Sequence, residues 1–309
     1  MTELLERPVD DEPRPTPPDD LRERSDRSAY LLIAPNVILI GLFLLVPLVW
    51  ALLMSFQAKR SFGPGTWTGL DNFTRLLGDD VFWRALLNTA IFTVVTVPLS
   101  VGAGLLLALL MNKALPGRGV FRTIVYLPIA VSTLVVSLIG LLLFDESIGM
   151  INGVLRDVGI GPVSWQSNGV LALISVIVMT LWTRIGFGML VYLAALQDVD
   201  DEVLEAATMD GAGAFSRLRF VIVPWLRPTT FFLLVINMIW SFQIFDVVFV
   251  MTNGGPGYST TTLVTYAYDE GFGPARNFGY GATVGMVLFV LTLAITVVQL
   301  WVNRRRDNR

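Results

Sequence analysis

The sequence contains no cysteine and no histidine among its 309 residues. Their absence excludes disulfide frameworks, thiolate nucleophiles, imidazole bases and the commonest zinc ligands. Charged residues are also scarce, at 15% of the chain against about 25% in a typical soluble protein. Hydrophobic residues make up 54%, and the mean hydropathy is +0.65. This composition is typical of a membrane protein and leaves too little polar surface to cover a soluble domain.

Long apolar stretches predict six membrane-spanning helices, because about 20 apolar residues cross a hydrocarbon core roughly 30 Å thick. The fourth and fifth stretches each contain a single charged residue, Arg184 and Asp246. The predicted spans lie at about 29–57, 86–112, 121–144, 169–197, 228–251 and 279–303. The predicted fold class is therefore an all-α membrane protein with six transmembrane helices.

The distribution of lysine and arginine predicts that both termini face the cytoplasm. With that orientation the inner segments hold 15 basic residues and the outer loops hold six, although Lys59 and Arg60 lie on the disfavoured side. Residues 1–28 are rich in proline and charge and are expected to form a disordered cytoplasmic tail, while residues 304–309 form a basic cytoplasmic end. The net charge of −3 and the scattered basic residues argue against nucleic-acid binding.

The most informative polar segment is the loop 198–224, between the fourth and fifth predicted spans. Asp198 or Asp200 can cap a short helix there, and Gly211 is expected to end it. Such a helix, held between two spans, is either a docking surface for another protein or a helix lying on the bilayer. The pattern alone leaves both interpretations open.

This loop resembles the EAA loop of bacterial ABC-importer permeases. Glu205-Ala206-Ala207 is followed at the family spacing by Gly211 and by Val221-Ile222-Val223-Pro224, where valines replace the usual Ile and Leu. Other segments resemble the carbohydrate branch, which includes permeases like those of maltose and glycerol-phosphate transporters. These segments are GLDNFTRLL, FWRALLNT, GRGVFRTIVYLP, WSFQIFD, TNGGPG and NFGYGAT, and the similarity runs from about Leu31 to Arg306.

The resemblance implies a type I importer fold whose coupling helix, in the loop 198–224, docks on a cytoplasmic ATPase. The implied coupling residues are Glu205, Ala206, Ala207, Asp210, Gly211 and Pro224, and a solvated helix cap is the alternative role for Glu205. The implied partners are a second related permease, two ATPase subunits and an extracytoplasmic solute-binding protein, all at the bilayer of a bacterial plasma membrane. Neither lysine belongs to a G-x-x-x-x-G-K-[ST] loop, so we expect no enzyme activity, no bound cofactor and no metal in this chain. ATP and Mg²⁺ would be used by the partner ATPase.

Charges inside predicted spans are candidates for function because they must face a cavity or a partner rather than lipid. Arg184 and Asp246 either line the substrate path or pair with each other to lock two helices. Resemblance to the maltose-transporting members implies that solute contacts lie on the fourth and fifth spans, although the run 183–187 departs from the usual family pattern. The predicted substrate-path residues are Thr180, Trp182, Thr183, Arg184, Phe187, Trp240, Ser241, Gln243, Ile244 and Asp246.

The predicted function is import of a sugar or oligosaccharide by alternating access, powered by a separate ATPase. A permease for glycerol phosphate or another polyol-derived anion is one alternative, because guanidinium binds phosphate well. An ion-coupled secondary transporter and an ATP-independent scaffold are rivals from other classes; a single intramembrane Asp and no visible repeat argue against the former. Gly102 with Gly104, and Gly281 with Gly285, predict close helix packing, including packing against the second permease.

Overall fold

The computed structural model describes residues 19–60, 63–112 and 116–307. The chain divides into two compact units, Met1–Ala51 and Leu52–Arg309. In the first unit, helix α1 (Asp19–Ile40) continues through a π-helical turn (Gly41–Leu45) into α2 (Val46–Ser55), which crosses the unit boundary. Helix α1 therefore begins inside the predicted disordered tail 1–28, and residues 1–18 of that tail lie outside the described residues.

In its described residues, the regular structure of the second unit is helical apart from one short antiparallel pair, β1 (Gln57–Ala58) with β2 (Thr66–Trp67). Its helices before the coupling segment are α3 (Asp71–Leu77), α4 (Asp80–Asn112), α5 (Arg118–Ala130), α6 (Thr133–Leu143), α7 (Met150–Asp157) and α8 (Gly169–Gln197). Those from the coupling segment onward are α9 (Asp201–Met209), α10 (Ala214–Arg217), a π-helical turn (Leu218–Ile222), α11 (Val223–Trp225), α12 (Arg227–Phe242), α13 (Asp246–Met251), α14 (Leu263–Phe272) and α15 (Phe278–Asp307).

Four helical stretches of the described chain are long and apolar enough to cross a membrane singly: Tyr30–Ser55, Asp80–Asn112, Gly169–Gln197 and Phe278–Arg305. Two bent helix pairs, α5 with α6 and Ala214–Trp225 with α12, raise the number to six if each pair is one span. The fourth predicted span, 169–197, coincides with α8. The six predicted spans thus correspond to helical segments, but two of them differ from the prediction in shape.

The third predicted span, 121–144, is not one straight helix. It divides into α5 and α6, which meet at an angle of 100°. Between them Val131 is extended, with φ −86° and ψ 143°, and Ser132 has ψ 136°. The break follows Pro128, whose ring removes one backbone donor from the helix. The hydropathy pattern did not reveal the bend, because residues on both sides of it are equally apolar.

The fifth predicted span, 228–251, also differs. Helix α12 ends at Phe242, and α13 starts at Asp246 after an unwound segment, 243–245. The candidate span instead pairs α12 with the preceding helix Ala214–Trp225, bent by 64°. The second half of the predicted coupling loop 198–224 is therefore helical and leads directly into α12.

Three apolar clusters form the interior of the second unit. The first joins α4, α6, α8 and α13 around Phe92, Val176 and Val248, and the second joins α4, α8 and α12 around Tyr192 and Leu233. The third joins α3, α4, α14 and α15. The first two clusters share α4 and α8, and this arrangement leaves a polar layer between them.

Close contact between α4 and α8 leaves no room for a side chain at Gly104, which faces Gly188. A Cβ atom built on Gly104 would lie 3.0 Å from the carbonyl carbon of Gly188, whereas one on Gly102 would meet nothing within 4 Å. Gly281 faces Gly271 of α14 in the same way, and Gly285 meets nothing within 4 Å. Gly104 and Gly281 thus pack within this chain rather than being reserved for a second permease.

The pair Gly102 and Gly104 offers a matched test of this packing. We expect Gly104→Ala to destabilise the protein by about 1–3 kcal/mol, because the added methyl group overpacks the α4–α8 contact. Gly102→Ala is expected to be neutral or slightly stabilising, because alanine is the better helix former. The measurement is thermal unfolding of both purified variants in detergent. Equal stability of the two variants would contradict the inferred contact.

Residues of the motifs that carried the family resemblance hold together the end of the unit where α4 begins. Asn72 Nδ2 donates to the carbonyl oxygens of Ser55 and Gln57 at 2.9 and 3.0 Å. Asn88 Nδ2 donates to those of Tyr258 and Thr261 at 2.8 and 2.9 Å. The Asn72 amide thus ties α3 to the end of α2 and to β1, and the Asn88 amide fixes the loop 252–262, which contains the TNGGPG motif, against α4. The motif residues at this end therefore have a structural role.

Asp79 joins three helices at the same end. Its Oδ1 accepts the backbone N–H groups of Val81 and Phe82 at the start of α4, and its Oδ2 accepts the hydroxyl groups of Tyr266 and Tyr280. Burial alone would raise the pKa of Asp79, but these four hydrogen bonds hold it below its ordinary value. The carboxylate form therefore fastens α14 and α15 to the N-terminus of α4.

Candidate functional site

A layer of buried polar side chains separates the two apolar clusters that share α4 and α8. Thr96 and Ser100 contribute from α4, Arg184 from α8, and Asn237 and Ser241 from α12. Arg184 lies 15 residues beyond the start of α8, or roughly 22 Å at 1.5 Å per residue. The layer therefore lies near the middle of the helices that cross the membrane.

Arg184 is the charged member of this layer and is only 8% exposed. Its Nη1 donates a hydrogen bond to Ser241 Oγ at 2.6 Å, and its guanidinium carbon lies 5.8 Å from the centroid of the Phe92 ring. Ser241 Oγ in turn lies 3.3 Å from Thr96 Oγ1. The guanidinium is thus held between α4, α8 and α12 by neutral groups.

A second polar pair supports this arrangement one turn away. Ser100 Oγ donates to Asn237 Oδ1 at 3.1 Å, and Asn237 Nδ2 donates to the Leu233 carbonyl at 2.8 Å. Buried polar groups are costly unless they are hydrogen-bonded. The pairing therefore explains how α4 and α12 accommodate four polar side chains in an otherwise apolar interior.

A cavity of about 330 Å³ opens beside this layer. It lies where two helices are interrupted, at the α5–α6 break and at the unwound segment 243–245. Irregular backbone at membrane depth is tolerated where it lines a cavity, and discontinuous helices form the solute sites of many transporters. Its lining residues are Pro128, Ile129, Val131, Thr133, Thr180, Thr183, Arg184, Trp240, Gln243, Ile244, Phe245, Asp246 and Val247.

Most of the predicted substrate-path residues meet in this cavity. Seven of the ten line it, namely Thr180, Thr183, Arg184, Trp240, Gln243, Ile244 and Asp246. Ser241 is fully buried behind Arg184, and Phe187 packs against Trp240 with ring centroids 5.1 Å apart. Trp182 is 44% exposed and is not among the lining residues, so its predicted place in the path is not supported.

Sequence reasoning missed the contribution of α5 and α6. Pro128, Ile129, Val131 and Thr133 line the cavity because the helix breaks there. The signal was Pro128, which the sequence places inside a span. A proline there is compatible with an ordinary kink, so it did not point to a site.

The proposed structural pair of Arg184 and Asp246 is not formed. Within the described part of the chain the hydrogen bond of Arg184 goes to Ser241, and Asp246 makes no ion pair with it. Asp246 is exposed and occupies the first turn of α13. Both charged groups line the same cavity without neutralising each other directly.

The coupling segment has an exposed surface. In α9, Glu205 and Ala206 are exposed, Ala207 is half-buried, and Met209 is 89% exposed. Gly211 ends the helix as predicted, with φ +79°, in the left-handed region that favours glycine. Asp200 occupies the predicted N-cap position but makes no side-chain capping bond.

The segment after α9 continues the same surface. Arg217 Nη1 donates to Thr208 Oγ1 at 2.8 Å and fastens α10 to α9, while Phe215 is 76% exposed. Asp210 and Gly211 are exposed in the turn, and Pro224 is half-buried in α11. Exposed Met and Phe beside acidic residues, on an otherwise polar segment, are typical of a protein-docking surface.

Known proteins resemble the chain over nearly its whole length. The trehalose/maltose transport system permease protein MalF of Thermococcus litoralis is 33% identical over 93% of this chain and 97% of its own length. The sn-glycerol-3-phosphate transport system permease protein UgpA of Agrobacterium fabrum is 35% identical over 87% and 92%, respectively.

A solved structure shares the fold. It is a chain of a bacterial alginate ABC transporter in complex with an alginate pentasaccharide-bound periplasmic protein, and it superposes with a TM-score of 0.81 at 26% identity. The match covers 93% of this chain and 96% of the other. Residues 100–308 match the family described as binding-protein-dependent transport system inner membrane component. The chain therefore belongs to this family and is a multi-pass transporter permease subunit.

Proposed function

We propose that this chain is the permease subunit of an ATP-driven importer and moves a sugar or oligosaccharide by alternating access. The observation that carries the proposal is the cavity beside the buried polar layer, at mid-membrane depth. Its volume of about 330 Å³ falls within the usual range for small-molecule sites, roughly 300–1,000 Å³. The relatives are named for trehalose, maltose and glycerol phosphate, and the alginate transporter for a polysaccharide.

The lining suits a carbohydrate chemically. The faces of Trp240 and Phe245 can cover the C–H patches of a sugar ring, while Thr180, Thr183 and Gln243 offer directional hydrogen bonds to hydroxyl groups. A guanidinium and a carboxylate, from Arg184 and Asp246, add charged donors and acceptors. Sugars present both apolar C–H faces and hydroxyl groups, so a cavity lined by aromatic and polar side chains fits this solute class.

The connection between the coupling segment and the site suggests how energy reaches the solute. The segment from α9 to α11 joins the end of α8 to the start of α12. These are the two helices linked by the 2.6 Å hydrogen bond between Arg184 and Ser241. A partner that binds α9 can therefore shift α8 relative to α12, break this hydrogen bond and open the polar layer toward one side of the membrane.

The partners follow from the same proposal. A separate pair of ATPase subunits would bind the exposed surface of α9 and use ATP with Mg²⁺, a second related permease would complete the pore, and a solute-binding protein would deliver the solute. Both termini would face the cytoplasm of a bacterial plasma membrane. The periplasmic protein in the alginate transporter complex supports the delivery step.

A second solute class is favoured by one observation. Arg184 is buried beside the cavity and bonds to a neutral serine rather than to a carboxylate. Its positive charge is therefore open to an anionic group, such as the phosphate of a glycerol phosphate. Competition for uptake between a neutral disaccharide and glycerol phosphate distinguishes the two classes.

The decisive experiment is reconstitution of this chain with its cognate subunits in proteoliposomes. The solute is the one that the cognate binding protein binds. Its uptake should require ATP in the vesicle lumen, with the ATPase subunits facing that lumen. Uptake driven by an ion gradient, with this chain alone and without ATP, would instead establish the secondary-transporter alternative.

A further inference from the structure

A groove between α12 and α15 lies outside the solute path. It has a volume of about 230 Å³ and is lined by Phe231, Leu234, Val298, Gln299, Val302 and Asn303. Its walls are mainly apolar, and both helices belong to candidate spans. The groove lies toward the start of α12 and the end of α15, on the side of the coupling segment.

Arginines and a tryptophan lie next to the lining residues along α12 and α15. Arg227 begins α12 one turn before Phe231, and Arg304 follows Asn303 on α15. Trp301 is 53% exposed, and the guanidinium carbon of Arg305 lies 3.5 Å from the centroid of its ring. Tryptophan near the end of a membrane helix is typical of the headgroup region. The arginines therefore lie where lipid phosphates are found.

The groove also contains an unmatched hydrogen-bond acceptor. Gln299 Oε1 is buried and has no hydrogen-bond partner among the described residues. A buried acceptor without a partner is costly, so the contact between α12 and α15 is incompletely satisfied at this position. Along both helices, apolar lining residues are thus followed by an arginine within about one turn, in the direction from the hydrocarbon core outward.

We propose that this groove binds an anionic phospholipid, of the phosphatidylglycerol type. One acyl chain lies against Phe231, Leu234 and Val302, and the phosphodiester lies between Arg227 and Arg304. Charge complementarity selects this occupant, because basic pockets between membrane helices on the cytoplasmic side bind anionic headgroups. The proposal does not depend on which solute the protein carries.

For the test, the full-length protein is placed in nanodiscs made of equal parts phosphatidylglycerol and phosphatidylcholine. The protein is then released from the nanodiscs, and native mass spectrometry measures which lipids it retains. The wild type should retain phosphatidylglycerol in preference to phosphatidylcholine. The double variant Arg227→Gln/Arg304→Gln should retain it about 25-fold less, or about fivefold less for each arginine. Arg118→Gln/Arg219→Gln removes as many exposed arginines away from the groove and should retain it as the wild type does. Excess inorganic phosphate should not displace the lipid, because it lacks the acyl chain.

A groove-filling variant tests the site without altering its charge. Val302→Trp should also lose the retained phosphatidylglycerol, and retention equal to that of the wild type, by this variant or by the double arginine variant, would overturn the proposal.

A cysteine introduced at position 302 can be labelled specifically, because the chain has no cysteine of its own. A photoreactive label on Val302→Cys in the assembled transporter should therefore cross-link to lipid, and cross-linking to a second permease instead would show that a protein helix occupies the groove and would refute it.

Discussion

Replacing Arg184 by alanine is expected to lower solute uptake at least about 10-fold, at solute concentrations below saturation, while the protein still reaches the membrane and assembles. The guanidinium is the one charged group of the buried polar layer, and it lines the cavity beside Thr180 and Thr183. Hydrogen bonds to a charged group contribute roughly 1.5–3 kcal/mol, so their loss lowers solute affinity about 10- to 100-fold. The measurement is the initial rate of uptake by the reconstituted complex, with ATP hydrolysis recorded in the same vesicles.

Two companion variants separate solute binding from helix locking. Ser241→Ala removes the internal partner of Arg184 but keeps its guanidinium, so it should impair uptake less than Arg184→Ala. If the two variants were equally impaired, Arg184 would act only as a link between α8 and α12. Arg184→Lys retains the charge without the planar fork and should give an intermediate rate. Normal uptake by Arg184→Ala would remove this residue from the proposed solute site.

Reversing the charge of Glu205 is expected to uncouple the transporter from its ATPase. Glu205 is exposed on α9, one turn before the protruding Met209. In the assembled complex the proposed contact buries its carboxylate against a cationic group of the ATPase. Removing one partner of a buried charge pair costs roughly 2–5 kcal/mol, so Glu205→Lys should weaken association at least 30-fold. Co-purification of the ATPase subunit and the rate of ATP-dependent uptake measure the effect.

Glu202 provides the matched control, because it is also an exposed glutamate on α9. It lies nearly one turn earlier and outside the Glu205-Ala206-Ala207 motif. Glu202→Lys makes the same change in net charge, and we expect it to leave association within a few-fold of the wild type. Equal weakening by both variants would indicate general electrostatic attraction rather than a contact specific to Glu205.

Local features of the sequence predicted several elements closely. The apolar run 169–197 coincides with α8, because only a helix of that length satisfies its backbone within lipid. The helix in the coupling segment was expected from its acidic start and from Gly211, and α9 ends where that glycine allows a left-handed turn. In each case the information lies within one or two turns of the chain.

The interrupted helices could not be predicted in the same way. The interruptions after Ala130 and Phe242 lie inside apolar stretches, and hydropathy does not distinguish a continuous span from an interrupted one. The backbone groups freed at such breaks are tolerated only beside other helices or a cavity, and this depends on neighbours distant in sequence. Pro128 and Phe245 therefore became candidate site residues only once α5, α8 and α12 were placed together.

The amino-acid sequence by itself determined that the chain crosses a membrane, that it presents an acidic-alanine helix between two spans, and that an arginine lies deep in one of them. These features follow from composition and short-range spacing, which hydrophobic burial and helix capping convert directly into structure. Only the tertiary structure decided that Arg184 bonds to Ser241 rather than pairing with Asp246, and that Trp182 lies outside the cavity. Such choices depend on how helices far apart in the chain pack side by side, because partners for buried polar groups come from across the bundle.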